Sequence, residues 1–401
     1  MRTRKAYRFR IYPSEEQRRI LERTLQTCRI LYNNLLAERR DNYKKTGRAP
    51  SYYEQKRGLT KRRNANPYLP QVHSQVLQDV ALRLEGAFER FFKRDKSGRK
   101  AGYPRFKGRN RYDSFTYPQY GNGAMLKDGR LKLSKIGAVR IFQHRPIPPN
   151  STVKTCTIRR DVDKWYACFT VEIDDTTTKP RGRQSLRVGV DVGLNLLVAL
   201  SDGEKVQPPK FLRKMERKLK REQRRLSRKK KHSKNWTRQT IKVAKAHRKV
   251  RVQRGDFNHK LSRMLVNRFG MIVFEKLRIQ NMVKNHRLAK SIADAGWGQL
   301  QAFTSYKAAE AGAIVKFVDP SNTTADCSRC GFHVPKTLSE RIHKCPNCGF
   351  MLDRDWNAAV NILNRVGWGT AELTPGEIQP LLRPCVVAEQ VGSRNQEAHD
   401  F

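Results

Sequence analysis

CSRCGFHVPKTLSERIHKCPNCGFMLDRDWNAA, residues 327 to 359, carries two Cys-x-x-Cys pairs, Cys327/Cys330 and Cys345/Cys348, and an acid, Asp355, shortly after the second. Each pair can close into a tight knuckle, and four thiolates complete a tetrahedron, so the spacing reads as one structural Zn2+. A redox Cys-x-x-Cys is the rival reading, but two pairs at this separation argue against it. The metal-folded module sits directly ahead of Asp355, which opens the helical pattern Asn357 to Val366. Asp353 is the local rival. Two residues apart at a helix start, the two acids point in different directions, and Asp355 is preferred.

Two earlier acids have matching surroundings. Asp191 ends the apolar run ValGlyValAsp, ahead of a turn at Gly193 and the run LeuLeuValAlaLeu; Glu275 ends MetIleValPheGlu. An RNase H-like sheet begins in this way. A strand-end acid taken singly is more often a cap or an ion pair. Together, two strand ends and a helix start can clamp two Mg2+ ions for phosphodiester cleavage, one activating water and one stabilising the leaving oxygen. Hard carboxylate oxygens suit Mg2+, with Mn2+ as a substitute.

Lys and Arg number 84 against 36 Asp and Glu, a formal charge of +48 spread over almost the whole chain. Such an excess repels itself unless a polyanion is bound, and it points to nucleic acid. No long apolar stretch suits a membrane, and MRTRKAYRFRIYP at the start has no signal-like segment. A cytoplasmic protein is expected, in which thiols stay reduced. Cys28, Cys156, Cys168 and Cys385 are read as buried or incidental thiols. His73, His144, His232, His259 and His343 share no metal spacing and are read as surface or phosphate-contacting residues. No GxSxG elbow or Walker loop supports a serine hydrolase or an NTPase.

The fold class expected is α/β plus β-barrel, in several domains. Residues 5 to 12 alternate as a strand. Ser14 with Gln17 resembles a capping box ahead of a helix through Leu36. Residues 44 to 66 read as a polar break, and a second helix spans about 71 to 93. Short strands follow, giving a small barrel (1–13 and 100–182) with an inserted helical bundle (14–99). Thr176 to Gln184 reads as a linker. The RNase H-like domain takes residues 183–326 and 352–368, the zinc ribbon 327–351, and a loose tail 369–401. Lys210 to Arg254 is helical, holds only the acids Glu216 and Glu222, and reads as a helical hairpin broken near Ser233. Basic residues on every face fit a phosphate-tracking arm that includes Lys229, Lys230 and Lys231; a solvated charged arm is the bland alternative. Ala293 to Gly298 reads as a mobile loop.

The order and separation of these pieces resemble TnpB, the RNA-guided endonuclease of IS200/IS605 and IS607 transposon groups and a relative of Cas12 effectors. The resemblance covers roughly residues 1 to 366. It rests on LysAlaTyrArgPheArgIleTyrPro (5–13), GlyTyrProArgPheLys (102–107), GlyValAspValGly (189–193), PheGluLysLeu (274–277), AspAlaGlyTrpGly (294–298) and the cysteine block with AspArgAspTrpAsnAlaAla. It implies a RuvC-like nuclease with acids matching Asp191, Glu275 and Asp355, a structural zinc ribbon, and a wedge barrel with a helical recognition insert. It also implies one guide RNA from the transposon end per protein, and double-stranded target DNA beside a short adjacent motif. Base pairing then supplies most of the specificity. Candidate readers of the motif are Tyr52, Gln75, Gln78, Thr116 and Asn122, and AlaGlyTrpGly would belong to a lid over the cleft. Where relatives more often carry a Ser-Gln-type turn, this chain has SerAsnThrThrAlaAspCys. A guide-dependent repressor without cleavage and an RNA-independent accessory DNA-binding protein are the competing functions; the three acids favour the nuclease.

Overall fold

A computed structural model describes residues 2–93, 101–109, 111–174, 185–337 and 339–366. The expected linker, the tail and Cys385 fall largely or wholly outside the described residues. The chain divides into two compact units, Met1–Thr176 and Thr177–Phe401.

The first unit begins with β1 (Arg2–Tyr12), then α1 (Glu15–Thr46), α2 (Tyr52–Ala65) and α3 (Ser74–Phe92). The Ser14 capping box forms as expected: Gln17 N–H donates to Ser14 Oγ at 3.2 Å, and Ser14 N–H to Gln17 Oε1 at 3.0 Å. The same glutamine donates to the Ala138 carbonyl, pinning the helix start to the sheet. Leu21, Leu25, Cys28, Leu31 and Leu35 recur at helical spacing and are buried. The polar break expected over 44–66 instead contains α2. It has a capping box of its own, Ser51 with Glu54. Its buried residues are only Gln55 and Leu59, so hydrophobic periodicity is nearly silent there. Polar contacts dock it: buried Arg39 donates to Gln55 at 2.8 Å and to Glu85 at 2.6 Å.

Seven strands follow one sheet order, β2-β6-β7-β1-β5-β4-β3. The added strands are β2 (Ser114–Tyr117), β3 (Ala124–Lys127), β4 (Arg130–Leu133), β5 (Gly137–Phe142), β6 (Ser151–Asp161) and β7 (Lys164–Asp174). The edge strands β2 and β3 are consecutive in sequence. Flat, they would lie about 29 Å apart, six spacings of roughly 4.8 Å. The chain from Tyr117 to Ala124 reaches at most about 25 Å. The sheet must therefore curl towards closure, and Tyr117 Oη donates to the Ser134 carbonyl across the gap at 3.2 Å. Phe9, Ile11, Leu21, Val80, Phe115 and Phe169 belong to one continuous core shared by sheet and helices. Cys28 and Cys156 lie in it, and burial pushes the Cys28 thiol up to about 12.

The second unit is built on a five-stranded sheet ordered β10-β9-β8-β11-β12. Its strands are β8 (Arg187–Asp191), β9 (Val198–Leu200), β10 (Lys205–Val206), β11 (Met271–Glu275) and β12 (Ile314–Val318). β8, β11 and β12 are parallel, and β9 runs antiparallel to β8. Between β10 and β11 lie α4 (Phe211–Ser227) and α5 (Lys234–Arg268), the expected hairpin, with Ser233 as the cap of α5. The far part of α5 is basic, and its near end contributes Phe257, Leu261 and Leu265 to the core. Then come α6 (Ile279–Met282), α7 (His286–Ala295) and α8 (Trp297–Ala311). After β12, the cysteine segment holds a hairpin of β13 (Ile342–Lys344) and β14 (Met351–Asp353), which runs straight into α9 (Arg354–Asn364).

The segment expected to be a mobile loop and lid is a helix junction. Gly296 adopts φ 68°, ending α7 and starting α8. Trp297 is buried and donates its indole N–H to the Gly193 carbonyl at 3.3 Å. An aromatic ring this large is worth more packed than waving in solvent, so the motif is anchored beside the Asp191 turn.

Candidate active site

Side-chain alternation decides which face of the second sheet carries each acid. In β11, Ile272 and Phe274 join the core under α5 and α8, while Met271 and Val273 pack with Ile362 of α9. Glu275 continues the second series and faces α9. In β8, Val188 and Val190 join the α5 side, leaving Gly189 and Asp191 on the α9 side. The register pairs Phe274 with Val190, so Glu275 and Asp191 are neighbours at the carboxyl ends of adjacent parallel strands. Gly189 then places α9. A Cβ there would overlap the Ala359 carbonyl and stand 2.8 Å from the Leu363 nitrogen. Helix backbone thus rests directly on strand backbone. Asp355 lies four residues before Ala359, one turn back along the helix.

The electrostatics agree with this convergence. Burial and the adjacent Glu275 and Asp355 charges push the Asp191 carboxyl well above the ordinary range. Burial raises Glu275, opposed by the Thr323 hydroxyl, which donates to Glu275 Oε1 at 2.5 Å. Burial and nearby Asp353 raise Asp355, while Arg341 stands 3.9 Å from it. Glu275 is buried, and Asp191 and Asp355 are half-buried, so the cluster reaches solvent. Asp353 is otherwise employed. Its Oδ1 accepts the Asp355 and Trp356 amides at 3.0 and 3.2 Å, capping α9, and its Oδ2 pairs with Lys205 at 2.8 Å.

The four cysteines also converge. Their sulfurs all lie within 4.8 Å of one another, an arrangement that can hold a metal ion. Both knuckles repeat one pattern, Cys-x-x-Cys-Gly-Phe, with Gly331 at φ 76° and Gly349 at φ 68°. The Phe332 and Phe350 amides donate to Cys330 and Cys348; the Cys330 thiol is lowered, whereas burial and the neighbouring cysteines outweigh the Phe350 amide and raise Cys348. Two residues that the sequence reading passed over join this module to α9. Asn357 accepts from the Ser328 amide at 3.0 Å and donates to the Asp326 carbonyl at 2.8 Å; Asn361 donates to the Thr323 and Asp326 carbonyls at 2.8 and 2.7 Å. Their spacing of four residues on one helix face was the available signal.

His343, expected at the surface, is fully buried in β13 and contacts Lys336. The alternation of that short strand turns it inward. His259 stacks on Phe303 at 3.9 Å between ring centroids.

The motif-reading candidates are more scattered. Tyr52 is half-buried at the start of α2, and Gln78 is half-buried on α3. Gln75 donates to Gln119 at 2.6 Å, and exposed Asn122 bonds His73. The Thr116 hydroxyl is already shared between Arg83 and Thr157. Lys229, Lys230 and Lys231 are exposed in the α4–α5 turn. A cleft of about 440 Å³ on α4 is lined by Arg217, Lys220, Arg221, Arg224, Arg225 and Arg228. Among the described residues, no helix is long and apolar enough to cross a membrane.

Residues 168–286 match the OrfB_IS605 family, described as "Probable transposase", and residues 297–362 match the "Cas12f1-like, TNB domain". Residues 1–48 match a family described as a "Helix-turn-helix domain", although here they form β1 and one uninterrupted helix. A "Putative RNA-guided DNA endonuclease" of Streptomyces pristinaespiralis is 35% identical, over 90% of this chain and 88% of its own. The "Putative RNA-guided DNA endonuclease InsQ" of Escherichia coli (strain K12) is 31% identical, over 96% of this chain and 97% of its own. The fold resembles Cas12f1 in a solved complex with sgRNA and target DNA. There the TM-score is 0.55 at 13% identity, covering 90% of this chain and 99% of that one. With a third of its residues shared along nearly the full length of such relatives, the chain belongs to the TnpB family of RNA-guided DNA endonucleases.

Proposed function

We propose that this protein is an RNA-guided, metal-dependent DNA endonuclease encoded by a transposon, with Asp191, Glu275 and Asp355 as its catalytic carboxylates. One observation carries the reading: three acids far apart in sequence lie on converging elements, at the ends of β8 and β11 and in the first turn of α9, near enough for Glu275 and Asp355 to raise the Asp191 carboxyl. Carboxylates gathered under burial repel one another, and a divalent cation relieves that repulsion. The all-oxygen donor set fits two Mg2+ ions, with Mn2+ as a substitute. Bound there, the ions would supply an activated water and charge stabilisation for the leaving oxygen. The chain's own part is to hold the three carboxylates on rigid elements and to keep Asp353 out of the site by its capping bonds. The four cysteines fit one structural Zn2+, which would fix the knuckles against α9.

In this reading the first unit is the wedge barrel (1–13, 100–182) with the recognition helices (14–99). The second is the RuvC-like nuclease (183–326, 352–368), interrupted by the ribbon (327–351). A guide RNA from the transposon end selects double-stranded DNA by pairing, beside a short adjacent motif read by the protein, with Gln75, Gln78, Asn122 and Tyr52 as candidates. Thr116 is the weakest of these, because its hydroxyl is already committed.

The test uses the full chain expressed with its locus, so that the bound RNA can be sequenced and its guide segment exchanged. Asp191→Asn, Glu275→Gln and Asp355→Asn should each abolish cutting while target binding persists, whereas Asp353→Asn should retain cutting at reduced stability. Cutting that survives Asp355→Asn and disappears in Asp353→Asn would reassign the third acid. Binding of the programmed target with no cutting in Mg2+ or Mn2+ would favour a guide-dependent repressor.

A further inference from the structure

Glu275 has more side-chain freedom than the two aspartates, and something must hold it. Thr323 stands in SerAsnThrThrAlaAspCys, directly ahead of the first knuckle. It is 3% exposed, and its hydroxyl lies 2.5 Å from Glu275 Oε1 and 3.3 Å from the Pro320 carbonyl. A hydroxyl has one proton, and the shorter, charge-assisted bond takes it. The Thr323 backbone is held in turn: its carbonyl accepts from Asn361 of α9, the helix that carries Asp355. Asn361 and Asn357 both also bond the Asp326 carbonyl, and Asn357 accepts the Ser328 amide within the first knuckle. One short segment, 323–328, therefore touches Glu275, the helix of Asp355 and the cysteine module.

We propose that Thr323 is a positioning residue: its buried hydroxyl fixes the Glu275 carboxylate in the orientation that takes a divalent cation. The inference rests on the proposed role of Glu275 as a metal ligand. A carboxylate accepts at about four lone-pair positions, so a single hydroxyl on Oε1 leaves the others free for a cation. Orienting a ligand beforehand spares the rotamer entropy that the ion would otherwise have to overcome on binding. The Asn361 contact keeps that orientation in step with α9.

The experiment uses the full chain bound to its RNA and titrated with Mn2+. The readout is amide hydrogen exchange of the peptide spanning residues 271–277, whose protection gives a Mn2+ midpoint. Cutting is measured in parallel. Thr323→Val should raise the midpoint by about tenfold, the scale of losing a partner that orients a ligand. Thr323→Ser keeps the hydroxyl and should stay within about twofold of the parent. On a Glu275→Ala background, Thr323→Val should add nothing further, because its effect passes through Glu275. Zinc content reports whether the variants fold; if Thr323→Val loses zinc, Thr323→Ala replaces it in the same cycle. A parental midpoint in Thr323→Val, or a shift that persists without Glu275, overturns the inference alone. A parental midpoint in Glu275→Ala overturns the metal site itself, and the inference with it.

Discussion

Asp191 is the residue at which the proposed activity and stability pull apart. Its carboxyl is raised by burial and by Glu275 and Asp355, so without a divalent ion its charged form is disfavoured in the folded state relative to the unfolded chain. The sign of the linkage follows. A group whose folded value lies above its unfolded value binds the proton more tightly when folded, so it costs stability as pH rises through that window. Glu275 and Asp355 are shifted the same way. Asp191→Asn removes a buried like charge with little change of shape. Without added Mg2+ at neutral pH, the variant should melt higher by about 2–4 °C, the equivalent of roughly 1 kcal/mol. The gap should widen as pH rises above the ordinary carboxylate range in thermal melts. A variant that melts lower than the parent at every pH would show that the Asp191 charge is already compensated by the protein.

At the scale of elements, the contact of α9 with β8 is the joint on which the site depends. Gly189 permits it by having no side chain, and a methyl group there meets backbone, which cannot move aside as a flexible side chain can. Gly189→Ala should therefore cost at least about 3 kcal/mol, the upper end of ordinary overpacking, and should eliminate cutting by displacing Asp355. Urea unfolding of the purified variant measures the loss; a difference below about 1 kcal/mol would mean the helix sits further from the strand. Much of this unit was legible in sequence. Asp191 and Glu275 end apolar runs, and buried parallel strands produce such runs. The two Cys-x-x-Cys pairs and the helical hairpin broken at Ser233 were legible for equally local reasons. Other features left no such trace. α2 docks through Gln55 and Arg39 rather than an apolar stripe, so only its capping box advertised it. Glycines flanking Trp297 resemble a loop until the tertiary contact with Gly193 is known. Thr323 acts across a long separation in sequence, and a lone short polar residue carries no periodicity to reveal it.

Across the whole molecule, charge dominates. The +48 excess includes the cleft on α4 and the exposed Lys229–Lys231 turn. If about ten phosphates are neutralised, log K should fall with log salt at a slope of roughly −7 to −9. Replacing Lys229, Lys230 and Lys231 together by Ala should flatten that slope by roughly 2–3 if all three meet phosphates, as filter binding at several salt concentrations would measure. An unchanged slope would mean that the turn is solvated and away from the nucleic acid. The passage from β14 directly into α9 has a consequence for how the enzyme is made. Asp353 closes the ribbon hairpin and caps the next helix, so no linker separates the cysteine module from the third acid. A ribosome thus delivers the first unit, the basic arm, Asp191 and Glu275 before the ribbon, and Asp355 only after it. Any product of early termination would keep the basic arm while lacking the acid proposed to complete the cutting centre. During translation, the nascent chain is a binder first and a nuclease last.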